Sequence, residues 1–259
     1  MLFGFEPSRV AFSIAGFDIM WYGVIIAAAI GLAIVICCYR APKHGLSADE
    51  MLSFLLICIP VGVIGARIYY VIFRWDLYED NLLNIFNTRL GGLAVQGGII
   101  AGFIACAILC KLWKENVLNL LDLAVPCIAA AQAIGRWGNF FNMEAYGSET
   151  DLPWALLIDG RYVHPTFLYE SLWCFLLSFF LIFVDNRRTF YGQTLLLYCM
   201  LYSVERFFVE GLRTDSLMLF GALKQAQVLS VTVFIAALIA YIYLKKVNRK
   251  KDNVFINKG

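Results

Sequence analysis

The sequence predicts an all-α, polytopic membrane protein with seven transmembrane helices. Of its 259 residues, 61% are hydrophobic and only 15% are charged, whereas a soluble domain is about 25% charged. The mean hydropathy is +0.73, and apolar runs of membrane-spanning length recur between loops that carry most of the charges. The net charge of +2 is too small to indicate a nucleic-acid partner.

Each predicted helix is an apolar run close to the roughly 17–25 residues that a membrane-spanning helix requires. The seven segments are 17–38, 51–73, 97–112, 117–134, 165–184, 193–208 and 227–244. The third and the sixth are short and end in polar residues, so their ends are the least sharply defined. Because no internal repeat or low-complexity linker interrupts the chain, residues 1–259 are predicted to form a single domain.

Lysine and arginine set the predicted orientation, because cytoplasmic loops carry an excess of both residues. They cluster after the first, third, fifth and seventh segments. Before the tail, these residues are Arg40, Lys43, Lys111, Lys114, Arg187 and Arg188. The N-terminus is therefore expected outside and the C-terminus in the cytoplasm, where the basic tail 245–259 is attracted to anionic lipid.

The cysteines do not predict a disulfide framework or a metal site. All eight lie in apolar runs, where cysteine behaves as a small hydrophobic residue. The sequence has no C-x-x-C pair, and His44 and His164 are its two histidines. We therefore expect no metal site.

A stretch that combines charged, amide and aromatic residues, GRWGNFFNMEAYG, follows the fourth predicted helix at residues 135–147. It places Arg136, Asn139, Asn142 and Glu144 within nine residues, directly after an alanine-rich apolar run. Such groups are costly at a membrane boundary, so they indicate a functional site. Residues 136–164 are predicted to form a small outward-facing cap between the fourth and fifth helices.

Four further polar residues lie near outward ends of predicted helices. Tyr22 opens the first helix, where tyrosine is either an interfacial belt residue or a functional one. Arg67 either snorkels towards the head groups or lines an inward-facing anion site. Gln96 lies between two glycine pairs that predict non-helical backbone. Glu170 lies nearly two turns into the fifth helix, so it needs a cationic partner or protonation.

The sixth helix and its end carry a polar stripe that also includes Glu205. Tyr202, Arg206, Glu210 and Arg213 follow the spacing i, i+4, i+8 and i+11, which places them on one helix face. On a soluble surface this spacing would indicate only an ion pair between Arg206 and Glu210. In so apolar a chain, we expect the stripe to face the bundle interior.

These clusters together predict a pocket for an anionic lipid at the outward face. Arg136, Arg206 and Arg213 approach it from different segments, and the planar guanidinium fork matches a phosphate group. Asn139 and Asn142 would add hydrogen bonds to the head group.

The order of these motifs closely resembles that of the prolipoprotein diacylglyceryl transferase family. The resemblance rests on Tyr22, Gly65-Ala66-Arg67, Gly135, Arg136, Gly138, Asn139, Phe140, Asn142, Glu144, Gly147, His164-Pro165, Leu168-Tyr169-Glu170, Tyr202, Arg206, Glu210 and Arg213. It implies a bacterial inner-membrane enzyme that acts in lipoprotein maturation and uses no cofactor. The diacylglyceryl group of phosphatidylglycerol would pass to the lipobox cysteine thiol of a prolipoprotein, forming a thioether and releasing glycerol phosphate.

The resemblance also implies roles for individual residues. Arg136 and Arg206 would neutralise the phosphate, while Glu170 and Glu210 hold the two arginines. The other residues expected at the head group are Asn139, Asn142, Tyr22, Tyr202 and Arg213. The predicted catalytic set is Arg136, Arg206, Gln96 and Glu144.

Gln96 departs from the family pattern, which has a histidine before the glycine pair. An amide cannot take up a proton at neutral pH. Either glutamine keeps only a hydrogen-bonding role, or another base acts, with Glu144 and His164 as candidates.

The sequence leaves two other classes of membrane protein as alternatives. A transporter that binds anionic lipid is the main alternative, although transporters favour inverted repeats, which this sequence lacks. An intramembrane protease would need an H-E-x-x-H motif, a serine with a partner histidine, or two core aspartates, and the sequence shows none of these.

Overall fold

The computed structural model describes residues 7–14, 16–87, 91–214, 216, 218–219 and 223–256, with side chains as far as Asn248. This part of the chain is mainly helical. The long helices are α1 (Trp21–Arg40), α2 (Ala48–Phe73), α3 (Val95–Trp113), α4 (Val117–Asn142), α5 (Thr166–Asp185), α6 (Gln193–Leu212) and α7 (Gln225–Ile256). All seven predicted helical segments are therefore present as helices.

Short β-hairpins accompany the helices, so the prediction of an all-α fold was incomplete. The antiparallel pairs are β1 (Val10–Ile14) with β2 (Phe17–Met20), β3 (Leu156–Ile158) with β4 (Arg161–Val163), and β5 (Met218–Leu219) with β6 (Leu223–Lys224). The prediction that the first helix begins at residue 17 was wrong, because Phe17–Met20 pairs with Val10–Ile14 before α1 begins at Trp21. Further short 3-10 helices occupy Ala41–His44, Trp75–Leu77 and Leu82–Phe86.

Six of the long helices in the described residues are long and apolar enough to cross a membrane. Helix α6 has the length but carries Glu205, Arg206 and Glu210. The protein is therefore a multi-pass membrane protein by helix length and composition. Large apolar side chains such as Val35, Ile99 and Phe179 lie exposed on the helices, as a lipid environment requires.

The ends of the helices follow from local signals that the apolar runs alone do not reveal. The Ser47 hydroxyl accepts from the Glu50 amide, and the Glu50 carboxylate accepts from the Ser47 amide. This capping box begins α2 at Ala48, three residues before the predicted segment. Helix α7 extends to Ile256, so the predicted basic tail is helical up to that residue. Its side chains from residue 249 and all of residues 257–259 lie outside the described part.

Helix α4 continues through the polar motif to Asn142, which corrects the prediction that the cap begins at residue 136. The helix ends where Met143 and Ala145 adopt left-handed φ values of 54° and 58°. Residues other than glycine and asparagine rarely adopt this left-handed backbone conformation, so the two φ values mark a sharp change in the direction of the chain. Arg136 and Asn139 are consequently fixed on a helix.

The chain divides into two compact units, Met1–Ile36 with Leu121–Gly259 and Cys37–Leu120. In the first, Phe140 and Phe167 pack with Leu156, Ile158 and Val163 of the β3–β4 hairpin. Deeper in this unit, Ala129 of α4 packs with Leu177 and Leu181 of α5. These clusters hold α4 and α5 in the arrangement that the polar residues require.

In the second unit, α2 and α3 pack through glycines, because small residues let helix backbones approach closely in a bilayer. A Cβ on Gly65 would lie 2.1 Å from the Cβ of Ala101, and one on Gly97 would lie 2.3 Å from the Cβ of Tyr69. Only glycine permits these approaches of the two backbones.

Arg67 of this unit is neither snorkelled nor an anion site, so both interpretations of it were wrong. All three guanidinium nitrogens donate to backbone carbonyls at 2.7–3.0 Å. The acceptors are the carbonyl oxygens of Asn84, Ile85, Asn87, Gly91 and Gly92. Arg67 therefore organises the loop that leads into α3, and its donors are consumed there.

Candidate functional site

The charged centre of the site is a carboxylate of α5 that bridges arginines of α4 and α6. Glu170 Oε2 lies 2.5 Å from Arg136 Nη2, and Glu170 Oε1 lies 3.3 Å from Arg206 Nη1. Arg206 Nη2 in turn lies 2.7 Å from Glu210 Oε2, so the network of ion pairs extends along α6. The structure confirms that Glu170 has cationic partners and that the helical part of the α6 stripe, as far as Glu210, faces the bundle interior.

Burial differs between the two kinds of charge in this network. The side chains of Glu170 and Glu210 are 1% and 4% exposed, whereas those of Arg136 and Arg206 are 20% and 21% exposed. The carboxylates are thus enclosed, and the guanidinium groups lie at the boundary of the enclosed region. Buried ion pairs need further hydrogen bonds and good geometry to offset the loss of solvation. Glu170 meets this need because each of its carboxylate oxygens contacts a different arginine.

Two stacked tyrosines of α6 extend the network along α4. Arg136 Nη2 donates to the Tyr202 hydroxyl at 3.3 Å. One helical turn earlier, the Tyr198 hydroxyl donates to Gln132 Oε1 at 2.9 Å. The rings of Tyr198 and Tyr202 stack with centroids 5.6 Å apart. Tyr198 and Gln132 were missed from the sequence, although both precede predicted site residues by four positions, the spacing of a shared helix face.

The amides of the motif converge on its carboxylate. Asn139 Nδ2 and Asn142 Nδ2 donate to Glu144 Oε1 at 2.9 Å and 3.3 Å. The left-handed backbone at Met143 and Ala145, on either side of Glu144, turns this carboxylate back over the end of α4. The three predicted residues therefore form one polar group on the exposed side of the motif.

Tyr22 lies beside the motif because the beginning of α1 packs on the end of α4. A Cβ on Gly138 would lie 2.8 Å from Tyr22 Cδ2, so the tyrosine ring rests on the glycine. Trp21 stacks on Phe141 with ring centroids 5.0 Å apart. The ring of Tyr22 is thus placed by α4 while 40% of the residue remains exposed.

The cap is tied to the same end of the helices through Gly147. Its amide donates to the His164 carbonyl at 3.0 Å, and the Ser148 amide donates to the Leu212 carbonyl at 2.9 Å. A Cβ on Gly147 would lie 2.7 Å from the Cβ of His164. Arg213 does not share the α6 face as predicted, because it follows the helix in extended conformation and forms a β-bridge with Gly147.

His164 and Gln96 are the remaining predicted residues with a possible base or amide role. His164 Nδ1 is 3.2 Å from the Tyr169 hydroxyl, which also accepts from Trp154 Nε1 at 3.0 Å. Gln96 is exposed in the first turn of α3, so the prediction of non-helical backbone was wrong at this residue and at Gly97-Gly98. It belongs to the unit Cys37–Leu120. The role predicted for Gln96 stays a prediction.

Glu205 of α6 is the residue whose environment the sequence did not foresee. It is 4% exposed, and neither carboxyl oxygen has a hydrogen-bond partner among the described residues. Its neighbour Arg206 is already paired with Glu170 and Glu210.

Comparisons with known proteins match nearly the whole chain. The family described as prolipoprotein diacylglyceryl transferase matches residues 9–243. A protein of Finegoldia magna is 51% identical over 245 residues, covering 94% of this chain and 98% of the relative. Relatives from Clostridioides difficile and Clostridium botulinum strain Loch Maree are 48% and 44% identical, covering 95% and 93% of this chain and 98% of each relative. All three are named phosphatidylglycerol–prolipoprotein diacylglyceryl transferase.

Proposed function

Because the chain belongs to the prolipoprotein diacylglyceryl transferase family, we propose that it transfers the diacylglyceryl group of phosphatidylglycerol to the lipobox cysteine of prolipoproteins. It is a transferase of lipoprotein maturation. The observation that carries the proposal is the bridge from Glu170 to Arg136 and Arg206, which places two guanidinium groups of different helices at one site.

The setting that we propose is the bacterial inner membrane. The alternation of basic loops supports an outer N-terminus, seven crossings and a cytoplasmic C-terminus. In this orientation the end of α4, the beginning of α5 and the cap face outward. That is the side on which an exported prolipoprotein presents its signal peptide and cysteine. Residues 1–259 act as one transferase domain.

The phosphate of the lipid is held by Arg136 and Arg206. Among the described contacts, Arg136 uses only Nη2 for Glu170 and Tyr202, so Nε and Nη1 keep donors for a phosphate. The Glu170 carboxylate orients both forks before the lipid binds, and Glu210 does the same for Arg206. Such preorganised positive charge stabilises the negative charge that develops as the reaction proceeds.

In the transfer, the cysteine sulfur attacks the glycerol carbon that bears the phosphate ester. A carbon–sulfur bond forms, the carbon–oxygen bond breaks, and its electron pair remains on the phosphate oxygen. The thiol proton passes to a base, for which Glu144 and His164 are the candidates. The phosphate gains one negative charge in this step, and the two arginines neutralise it.

The glycerol head group is oriented by the polar residues around the arginines. Asn139 and Asn142 present amides at the end of α4, while Tyr22 and Tyr202 present hydroxyl groups. Arg213 adds positive charge where the cap meets α6. For Gln96 we expect a hydrogen-bonding role in place of the family histidine.

The test is transfer by the purified protein from phosphatidylglycerol vesicles to a lipobox peptide, with mass spectrometry of the cysteine. We expect Arg206→Ala to lower the rate about 10²–10³-fold, the effect of removing one preorganised donor group. Arg161→Ala is the matched control, because this cap arginine is 62% exposed and 3.6 Å from Glu149. Full activity of Arg206→Ala would refute the phosphate role.

A second comparison addresses the residue that departs from the family pattern. We expect the parent to form the adduct without the histidine, and Gln96→His to be active as well. Activity of Gln96→His alone would show that a base is missing at this position. Lipid binding without adduct in every sample would instead favour an anionic-lipid-binding transporter.

A further inference from the structure

Glu205 is an enclosed carboxyl group beside the arginine network and has no role in the mechanism above. It is 4% exposed, and both carboxyl oxygens lack a hydrogen-bond partner among the described residues. An ionised carboxylate that is buried without partners is strongly destabilised, whereas a neutral carboxylic acid is tolerated far better.

The charged groups near Glu205 come from three helices. It lies within electrostatic range of Arg136 on α4, Glu170 on α5 and Arg206 on its own helix. Tyr202 and the enclosed thiol of Cys174 share this environment. Towards α7, the adjoining groove is lined by residues that do not titrate in the physiological range. They are Ser203, Val204, Phe207, Phe208, Ser230, Val231 and Phe234.

Before any lipid binds, both arginines of the cluster are paired with carboxylates other than Glu205. Glu170 pairs with both arginines, and Glu210 pairs with Arg206. Two guanidinium groups therefore face two paired carboxylates, and these four charges balance. A third ionised carboxylate would make the cluster net negative in a region of low dielectric constant, where like charges repel strongly.

We propose that Glu205 is held as the neutral acid and is a positioning residue for the lipid, because its protonation keeps the arginine site free of excess negative charge. This inference rests on the proposed phosphate role of Arg136 and Arg206. With Glu205 neutral, the phosphate of phosphatidylglycerol meets the two arginines without repulsion from this carboxyl group. When Glu205 loses its proton, the phosphate meets a second negative charge, and its binding weakens.

The first experiment measures phosphatidylglycerol binding to the full-length protein in nanodiscs of neutral lipid. The pH is raised from about 6 to about 9, below the range in which ordinary tyrosines and lysines titrate. We expect binding by the parent to weaken about tenfold or more as Glu205 ionises, the scale of one repulsion between nearby charges. Glu205→Gln has the shape of the neutral acid and cannot ionise, so its binding is expected to stay within about twofold across the range.

Glu149→Gln provides the matched control, because Glu149 is 68% exposed in the cap. This variant should keep the pH dependence of the parent. If the parent and Glu205→Gln share one pH dependence, the proposal is wrong.

Infrared spectroscopy gives a readout that needs no stable variant. The parent at neutral pH should show the C=O stretch of a protonated carboxylic acid, and the band should disappear as binding weakens with rising pH. It should also be missing from Glu205→Gln and present in Glu149→Gln. Absence of the band from the parent overturns the proposal.

The binding assay also separates this inference from the proposed phosphate site. Arg206→Ala is expected to lose lipid affinity at every pH. If Arg206→Ala binds like the parent, the phosphate role fails. If Arg206→Ala loses binding while Glu205→Gln titrates like the parent, only the role of Glu205 fails.

Discussion

Replacement of Glu170 by glutamine tests whether one carboxylate holds the two arginines of the site. The change removes a negative charge 2.5 Å from Arg136 Nη2 and 3.3 Å from Arg206 Nη1. Breaking an enclosed ion pair typically costs 3–5 kcal/mol. The two arginine side chains are 20% and 21% exposed, so water recovers part of this cost. We therefore expect Glu170→Gln to lower the free energy of unfolding by about 2–4 kcal/mol.

A loss of that size corresponds to a fall of roughly 5–15 °C in the unfolding temperature of a chain of this length. Thermal unfolding in detergent would be compared with that of Glu149→Gln, whose exposed pair with Arg161 should contribute less than about 1 kcal/mol. The transfer rate of Glu170→Gln should fall about 10²–10³-fold, because the guanidinium forks lose their orientation. If Glu170→Gln unfolds and reacts like Glu149→Gln, the bridge is neither structural nor functional.

Three further predictions concern residues that fix loops and helix ends. Gly147→Ala places a Cβ 2.7 Å from that of His164, so thermal unfolding should show a loss of about 1–3 kcal/mol and transfer should slow. Gly31→Ala meets no atom within 4 Å and should be neutral or stabilising. Asp122→Asn weakens the bonds from the Gly192 and Leu195 amides at the beginning of α6, at 2.7 Å and 2.9 Å. It should lower the unfolding free energy by about 1–3 kcal/mol, and an unchanged unfolding temperature would contradict this role. Arg67→Lys cannot reach all five carbonyl groups, so proteolysis should cleave the loop before α3 faster than in the parent, and equal cleavage rates would be a counterexample.

The helices could be predicted because a membrane-spanning helix requires a long run of apolar residues, and each such run is visible in the sequence. The face of α6 that carries Tyr202, Arg206 and Glu210 was also predictable, since helical spacing decides which side chains lie together. Its inward direction followed from the cost of charge in lipid, and the 2.7 Å contact between Arg206 and Glu210 agrees with it.

The length of α4 was not predictable from hydropathy, because the polar residues of its last two turns interrupt the apolar run. What extends the helix is packing of Phe140 and Phe167 under the cap, together with Trp21 on Phe141. These partners come from distant parts of the chain. The convergence of Asn139 and Asn142 on Glu144 depends in turn on this extension, since both amides need helical positions.

The environments of Arg67 and Glu205 lay beyond the sequence for a related reason. An arginine near the end of a hydrophobic run has several ways to satisfy its charge, and only the folded loop shows that five carbonyls do so. In the sequence, Glu205 is adjacent to Arg206 and cannot be distinguished from the other charged residues of α6. Its isolation becomes visible only when Glu170 and Glu210 are seen to occupy both arginines.

The arginine of α2 also has a consequence for biogenesis. Arg67 leaves the ribosome before its acceptors, the most distant of which, Gly92, follows 25 residues later. Until that loop has been synthesised, a lone α2 would carry an uncompensated guanidinium against lipid, which opposes stable insertion. Helices α2 and α3 should therefore enter the bilayer together as one hairpin, with the guanidinium hydrogen-bonded only when the intervening loop closes around it.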